Sequence, residues 1–309
     1  MFKRLIVLFA VLLFAQEPIT PIPQKIEYNK NKALLGKILF FDPILSLDDK
    51  ISCASCHSPL YGGADYKQFS IGVYGQIDTP MNSPTVFNAV FNCWQFWNGR
   101  AKNLKQQAMM ANMNKKEMAM TPEILERKIN RNKKYKKMFY QVYKKKYITY
   151  DMVMDAIAEF EKALITPNSK FDKYLRGDKN ALNTLEKRGY FLFKAYGCIT
   201  CHNGVNLGGN TFQKLGVIQI DTTIPRGNDR FYVTKRQDDI YVYKVPGLRN
   251  VAITAPYFHN GSVSTLKEAI RKMAIFNLGV DLTPSEIKAI EAFLRTLTGE
   301  MPSILKSTK

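Results

Sequence analysis

The chain is short of histidine, cysteine and tryptophan, with 3, 5 and 2 of them in 309 residues. It is short of acid as well: 26 Asp and Glu stand against 45 Lys and Arg, a formal net charge of +19. Such a balance points in general to anionic partners. No nucleic-acid motif accompanies it, so nucleic acid is not among the expected partners. Long apolar runs are missing too. The one extended run, Leu5 to Phe14, is too short to cross a bilayer comfortably. There is no low-complexity segment, and no internal repeat beyond one short motif described below. What remains is 46% hydrophobic residues over a length that suggests two domains.

The apolar run has another use. Lys3 and Arg4 precede it, Ala15 closes it, and Gln16-Glu17-Pro18 follows. A charged start, a short apolar core and a small residue at the end form a cleaved secretory signal over residues 1–15. The alternative is an uncleaved anchor. Lipidation would need a cysteine near residue 15, and none is there. No stable membrane insertion is expected once the signal is removed.

The scarce residues are concentrated. Four of the five cysteines and two of the three histidines form Cys53-Ala54-Ser55-Cys56-His57 and Cys198-Ile199-Thr200-Cys201-His202. Cys-x-x-Cys-His is the attachment site of a c-type haem. Two intervening residues let one turn of backbone put both sulfurs against one porphyrin edge, and the next side chain reaches the iron. A redox dithiol or a zinc site is the alternative use of these residues. Bacterial c-type haems are attached outside the inner membrane, so this reading and the export signal agree on a bacterial periplasmic protein.

With His57 and His202 as proximal ligands, His259 alone is left, and bis-histidine ligation of both haems is excluded. Methionine is the other common sixth ligand. Met273 lies between the His259 loop and the terminal helix, where a thioether approaches the second haem opposite His202; core packing is its alternative role. The first haem then has no clear sixth ligand. An open iron binds peroxide or dioxygen, whereas a Met/His haem stores and delivers an electron. Cleaving an O–O bond needs a base to move a proton and a donor to steady developing charge. With no spare histidine nearby, the candidates are Glu117, in Met-rich surroundings that would raise its pKa, and Gln107. On composition alone both also read as surface helix residues. Trp97 is either a bridge between the haems or an ordinary core tryptophan.

The expected fold is mainly α: two cytochrome c-like haem domains with long connecting loops. Asn31 to Asp42 has helical apolar spacing and is stopped by Pro43. From His57 to residue 83 the chain reads as a long loop. Thr121-Pro122-Glu123 starts a helix, and Arg131 to Lys146 is a basic segment with one aromatic stripe toward the core; the alternative is a docking patch for an acidic electron donor. Asp151 to Ile165 is amphipathic and ends at Thr166-Pro167-Asn168-Ser169. Leu182 to Tyr196 leads into the second motif, with Gly189 placed as in the first helix of small cytochromes c. The last helix carries Thr283, Pro284 and Glu286 as its start and Gly299 as its end. The division is 16–166 for a peroxidatic haem domain, 167–299 for an electron-transfer haem domain, and 300–309 for a tail. Cys93, in the aromatic stretch Phe91 to Trp97, reads as a buried core thiol, or else as half of an interchain disulfide.

These stretches, with Asn82 to Ala89, Phe96 to Arg100, Lys244 to Val251 and Ala255 to Ser262, resemble the bacterial di-haem cytochrome c peroxidase family over roughly residues 30–300. The resemblance implies reduction of hydrogen peroxide to water with electrons from a small cytochrome c or a cupredoxin. It implies Met273 as sixth ligand of the high-potential haem, Glu117 and Gln107 as the distal acid/base pair, and Trp97 between the haems. It implies a calcium ion on the side-chain oxygen of Asn82 and the carbonyls of Thr254 and Pro256, completed by water. His259 becomes a supporting group, the tail returns to the first domain, and a homodimer is favoured. One departure stands out. Many members carry a histidine in the loop Ser70 to Gln76 that closes the peroxidatic iron when oxidised. Here its position falls on Tyr74, or on Val73. An open first iron is therefore expected, with a Tyr74 phenolate as the rival. The missing histidine is shared with a divergent oxidase that matures a tryptophan-derived quinone, while Met273 argues for the peroxidase. A non-catalytic di-haem electron-transfer cytochrome is the third reading.

Overall fold

The computed structural model describes residues 17–77 and 81–306. The expected signal, residues 1–15, lies outside them, as does the end of the tail.

Two helix crossings organise the molecule. Lys30–Phe40 packs across Tyr150–Lys162, and Thr184–Ala195 packs across Pro284–Arg295. Each helix starts where a side chain satisfies free amide donors. Asn29 accepts from Lys32 N and Thr149 from Met152 N. Asn183 with Glu186, and Thr283 with Glu286, form capping boxes. Both crossings are made close by glycine. A Cβ on Gly36 would lie 1.9 Å from Ala156 O and 2.9 Å from Phe160 Cβ; one on Gly189 would lie 1.9 Å from Ala289 O and 2.9 Å from Phe293 Cβ.

Around the first crossing, Leu35, Leu39, Phe40, Leu125, Phe139, Ile157 and Phe160 form one buried core. Around the second, Phe171, Tyr190, Phe193, Ile290, Phe293 and Leu294 form another. The chain ends cross over: Ile304 packs in the first core and Ile19 in the second. The amino-terminal segment is held there by a fully buried ion pair, Arg249 Nη1 to Asp172 Oδ1 at 2.8 Å. Arg249 Nη2 also donates to Thr20 O, and Ile22 N donates to Asp172 Oδ1.

Thr121-Pro122-Glu123 does start a helix, Pro122–Arg131, and the basic segment after it is the helix Lys133–Tyr143. Tyr135 and Phe139 are buried, but Tyr140 is 51% exposed and lies off the stripe. Among the described residues the only sheet is a two-stranded one, Phe212–Lys214 against Val242–Lys244, with Phe212 opposite Lys244. Gly299 does not end the last helix, which closes at Arg295 with Thr296 as cap. It permits a close approach instead: a Cβ there would meet Thr166 O at 1.9 Å.

The absence of a longer repeat in the sequence does not carry over to the fold. Asn88 and Asn250 both take left-handed backbone, φ 62° and 63°. Their amides donate to Leu164 O and Leu297 O, and their Oδ1 atoms accept from Thr166 N and Gly299 N. Phe96 and Phe258 match in the same way, φ 66° and 67°, inside the paired bridges Gln95–Ala101 and Tyr257–Val263. This makes Trp97 and His259 structural counterparts. They are joined reciprocally: Asn82 N donates to His259 O and Lys244 N to Trp97 O, each at 2.7 Å.

Gly36→Ala is expected to cost about 3 kcal/mol, because overpacking against a backbone carbonyl cannot be relieved by rotating a side chain. Urea unfolding of the variant measures it, and unchanged stability would contradict the close crossing.

Candidate functional site

Two cavities of similar size, each partly open to solvent, lie on either side of this joint. The first is lined by Cys53, Cys56 and His57, and the second by Cys198, Cys201 and His202. Trp97 lines both.

The two histidines are set alike. His57 Nδ1 lies 3.3 Å from Gly63 O, and His202 Nδ1 lies 3.2 Å from Leu207 O. A proton on Nδ1 bonded to a carbonyl leaves the Nε2 lone pair free for a metal. Burial pushes both imidazoles down, His202 to about 4, so each is neutral at physiological pH. The thiols go the other way. Burial pushes Cys56 and Cys198 up to about 11 and raises Cys53 further. A zinc site needs thiolates converging on one point. Among the described residues no three His, Cys, Asp or Glu side chains form such a group. Two protonated thiols on one turn, followed by a neutral imidazole with Nε2 free, form a donor set that fits a c-type haem in each cavity.

The cavities differ in their remaining walls. In the second, Leu248, Leu266, Ile270 and Leu294 give an apolar surface, and Met273 lines it as the last residue of the Leu266–Met273 helix. Lys244 is its buried charge, pushed down to about 8 by desolvation. The first cavity carries Arg100, Gln107, Asn112, Glu117 and Glu161. Gln107 comes from the Leu104–Met113 helix, whose cap Asn103 accepts from Gln106 N. Glu117 follows that helix; its Oε1 accepts from Asn114 Nδ2 at 2.8 Å, and its carbonyl accepts from Val73 N at 2.9 Å. That bond fixes the loop in which many relatives were expected to carry a histidine. Neither loop candidate lines the cavity: Val73 is fully buried, and Tyr74 is 66% exposed with its N–H on Asp48 Oδ2. The Tyr74 phenolate is thus not brought to the first iron position.

Trp97 Nε1 donates to Asn82 O at 2.8 Å, and its ring meets His259 edge-on with centroids 6.4 Å apart. His259 stacks on Tyr243 at 4.2 Å and commits Nε2 to Pro225 O. Asn82 gives Nδ2 to the carbonyls of Lys67 and Gln68, which leaves Oδ1 as the atom able to take a cation. Thr254 and Pro256 lie just before the bridge at Tyr257, and the Thr254 hydroxyl donates to Val251 O.

Cys93 is exposed, not a core thiol. Its neighbour Trp94 takes the inward place against Phe212, and Cys93 N donates to Gly209 O, so the side chain turns outward. Two residues of the first cavity escaped the sequence reading. Asn112 Oδ1 and Glu161 Oε2 are buried without a hydrogen-bond partner. Glu161 left a signal: it is a carboxylate in line with Ile157 and Leu164, on the apolar face of its helix.

Residues 30–180 match the family model for di-haem cytochrome c peroxidase, and residues 242–273 match that for RoxA-like, cytochrome c-like proteins. The chain is 46% identical over 293 residues to the cytochrome c551 peroxidase of Nitrosomonas europaea, covering 95% of this chain and 87% of that protein. It is 42% identical over 295 residues to the cytochrome c551 peroxidase of Pseudomonas aeruginosa, covering 92% and 85%. Among solved structures, a MauG-like protein associated with microbial copper homeostasis superposes with a TM-score of 0.81 at 26% identity, covering 97% and 98% of the two chains.

Trp97→Phe keeps an aromatic ring on the shared wall and removes the indole N–H. The buried Asn82 carbonyl then loses its donor, which is expected to cost about 1–2 kcal/mol. Chemical denaturation measures the loss; an unchanged midpoint would show that this bond does not hold the ring.

Proposed function

Because the chain belongs to the di-haem cytochrome c peroxidase family, and is thereby an oxidoreductase acting on peroxide, we propose that its two cavities divide the work. The second takes an electron from a small cytochrome c or a cupredoxin, and the first uses it on hydrogen peroxide. The observation that carries this reading is the unlike lining of two otherwise matched sites: Met273 and apolar side chains in one, Gln107 and Glu117 in the other. When bound, the haems supply the one-electron chemistry and the site of O–O reduction.

The protein's own groups then have defined tasks. His202 and Met273 would hold the iron of the second haem, and a thioether ligand would raise its potential. His57 would hold the iron of the first haem. Gln107 orients the peroxide. Glu117, fixed by Asn114, takes the proton of the inner oxygen and returns it to the outer one. Two electrons and two protons convert one peroxide into two waters. Trp97 occupies the shared wall as the aromatic between the haems. Asn82, Thr254 and Pro256 are assigned to calcium, a hard cation suited to their oxygens. Residues 16–166 are assigned to the peroxidatic domain, apart from the lead-in around Ile19 that packs in the second core, with 167–299 as the electron-transfer domain and 300–309 as the returning tail. Covalent haem attachment, export by the residue 1–15 signal, a periplasmic site of action and a homodimer belong to the same proposal.

The exposed position of Tyr74 supports an open first iron even in the oxidised state. The paramagnetic resonance spectrum of the oxidised protein is expected to contain one high-spin and one low-spin haem. Two low-spin signals with no high-spin component would remove the open site. Glu117→Gln is expected to lower peroxide turnover with reduced cytochrome c by about 10²–10⁴-fold, the usual worth of a positioned proton-transfer group. Near-normal turnover would take Glu117 out of the mechanism.

A further inference from the structure

The matched helix crossings allow a position-by-position comparison of the two cavities. Gly36 meets Ala156 and Phe160 as Gly189 meets Ala289 and Phe293, at the same distances. One residue further along the second helix of each crossing, the chain has Glu161 in the first half and Leu294 in the second. Both line their cavities. The same place in the same frame is apolar beside the second attachment site and carboxylic beside the first.

Glu161 is 4% exposed, and its Oε2 has no hydrogen-bond partner. No lysine or arginine is paired with it among the described ion pairs. A carboxylate left this way is costly, and the group avoids the cost by holding a proton. Burial pushes it up to about 8. The Lys30–Phe40 helix, packed across it, buries only Ala33, Leu35, Gly36, Leu39 and Phe40. The ionisable groups on the cavity wall are Cys53, Cys56 and His57 from the motif, Arg100 before the Leu104–Met113 helix, and Lys116 and Glu117 after it. Glu161 is coupled to the attachment turn: after burial itself, its charge is the next cause raising the Cys53 thiol.

We propose that Glu161 takes up the proton that accompanies reduction of the first haem and thereby sets that haem's potential; in the second cavity the same position is the apolar Leu294. The inference rests on the first cavity holding a haem. The positive charge of an oxidised haem favours the Glu161 carboxylate, and an added electron cancels that support. One electron enters the iron, from the donor of the peroxidase reaction, and one proton from solvent binds the Glu161 carboxylate. No other bond forms or breaks. Glu161 touches no reacting atom of the peroxide in this account; it acts on the iron's potential through charge.

Spectroelectrochemical titration of the intact di-haem protein between pH 5 and pH 9 tests this, with wild type, Glu161→Gln and Glu161→Leu. In wild type the first haem's midpoint is expected to fall as pH rises, approaching one proton per electron, a tenfold change per pH unit or 59 mV. Both variants are expected to flatten that slope while leaving the second haem's midpoint unchanged at every pH. Glu161→Leu copies the second half of the molecule, and Glu161→Gln preserves shape, so the pair guards against a folding defect in either. A first-haem slope in Glu161→Gln equal to wild type would overturn the inference and leave the peroxidase reading intact. Fewer than two haems per chain in wild type, counted from the pyridine haemochrome spectrum, would overturn both.

Discussion

Two backbone hydrogen bonds hold the functional geometry together: Asn82 N to His259 O, and Lys244 N to Trp97 O. Each runs from the segment behind one cavity to the aromatic residue of the other half. Because they are reciprocal, they fix both cavities against one wall, which Trp97 forms and His259 abuts. Each amide bonds directly to the other half's carbonyl, so slipping the joint would strand polar groups. Asn88 and Asn250 repeat the arrangement deeper in, meeting at the Thr166 hydroxyl, to which both donate.

On that symmetric frame the chemistry is asymmetric. Attachment turns, imidazole orientation and glycine crossings are duplicated. The other side chains that line the two cavities are not. Met273 and Leu294 in one cavity stand against Gln107, Glu117 and Glu161 in the other. An apolar surround with a thioether holds an electron at high potential, whereas a polar surround moves protons. The frame brings these two environments together, which the proposed division of work requires.

Much of this was legible before any coordinates. The attachment motifs declare themselves because their spacing is local and covalent chemistry restricts it. The long helices were visible in apolar periodicity and in caps such as Thr283 with Glu286. Boundaries failed where a residue's purpose was distant. Gly299 looked like a helix end because glycine commonly serves there, yet its role is to let Thr166 O approach. Cys93 looked buried because its neighbours are aromatic, but Trp94 takes the inward place.

The sequence alone determined which residues can hold haem and how many imidazoles are available. These follow from residue counts and short spacings, which no fold can alter. Only the tertiary structure decided that Trp97 and His259 are counterparts, that Tyr74 faces solvent, and that Glu161 ends buried beside one attachment turn while Leu294 ends beside the other. Those outcomes depend on backbone hydrogen bonds between distant segments. A backbone amide carries no side-chain identity, so the pairing that built the joint left no trace in the order of residues.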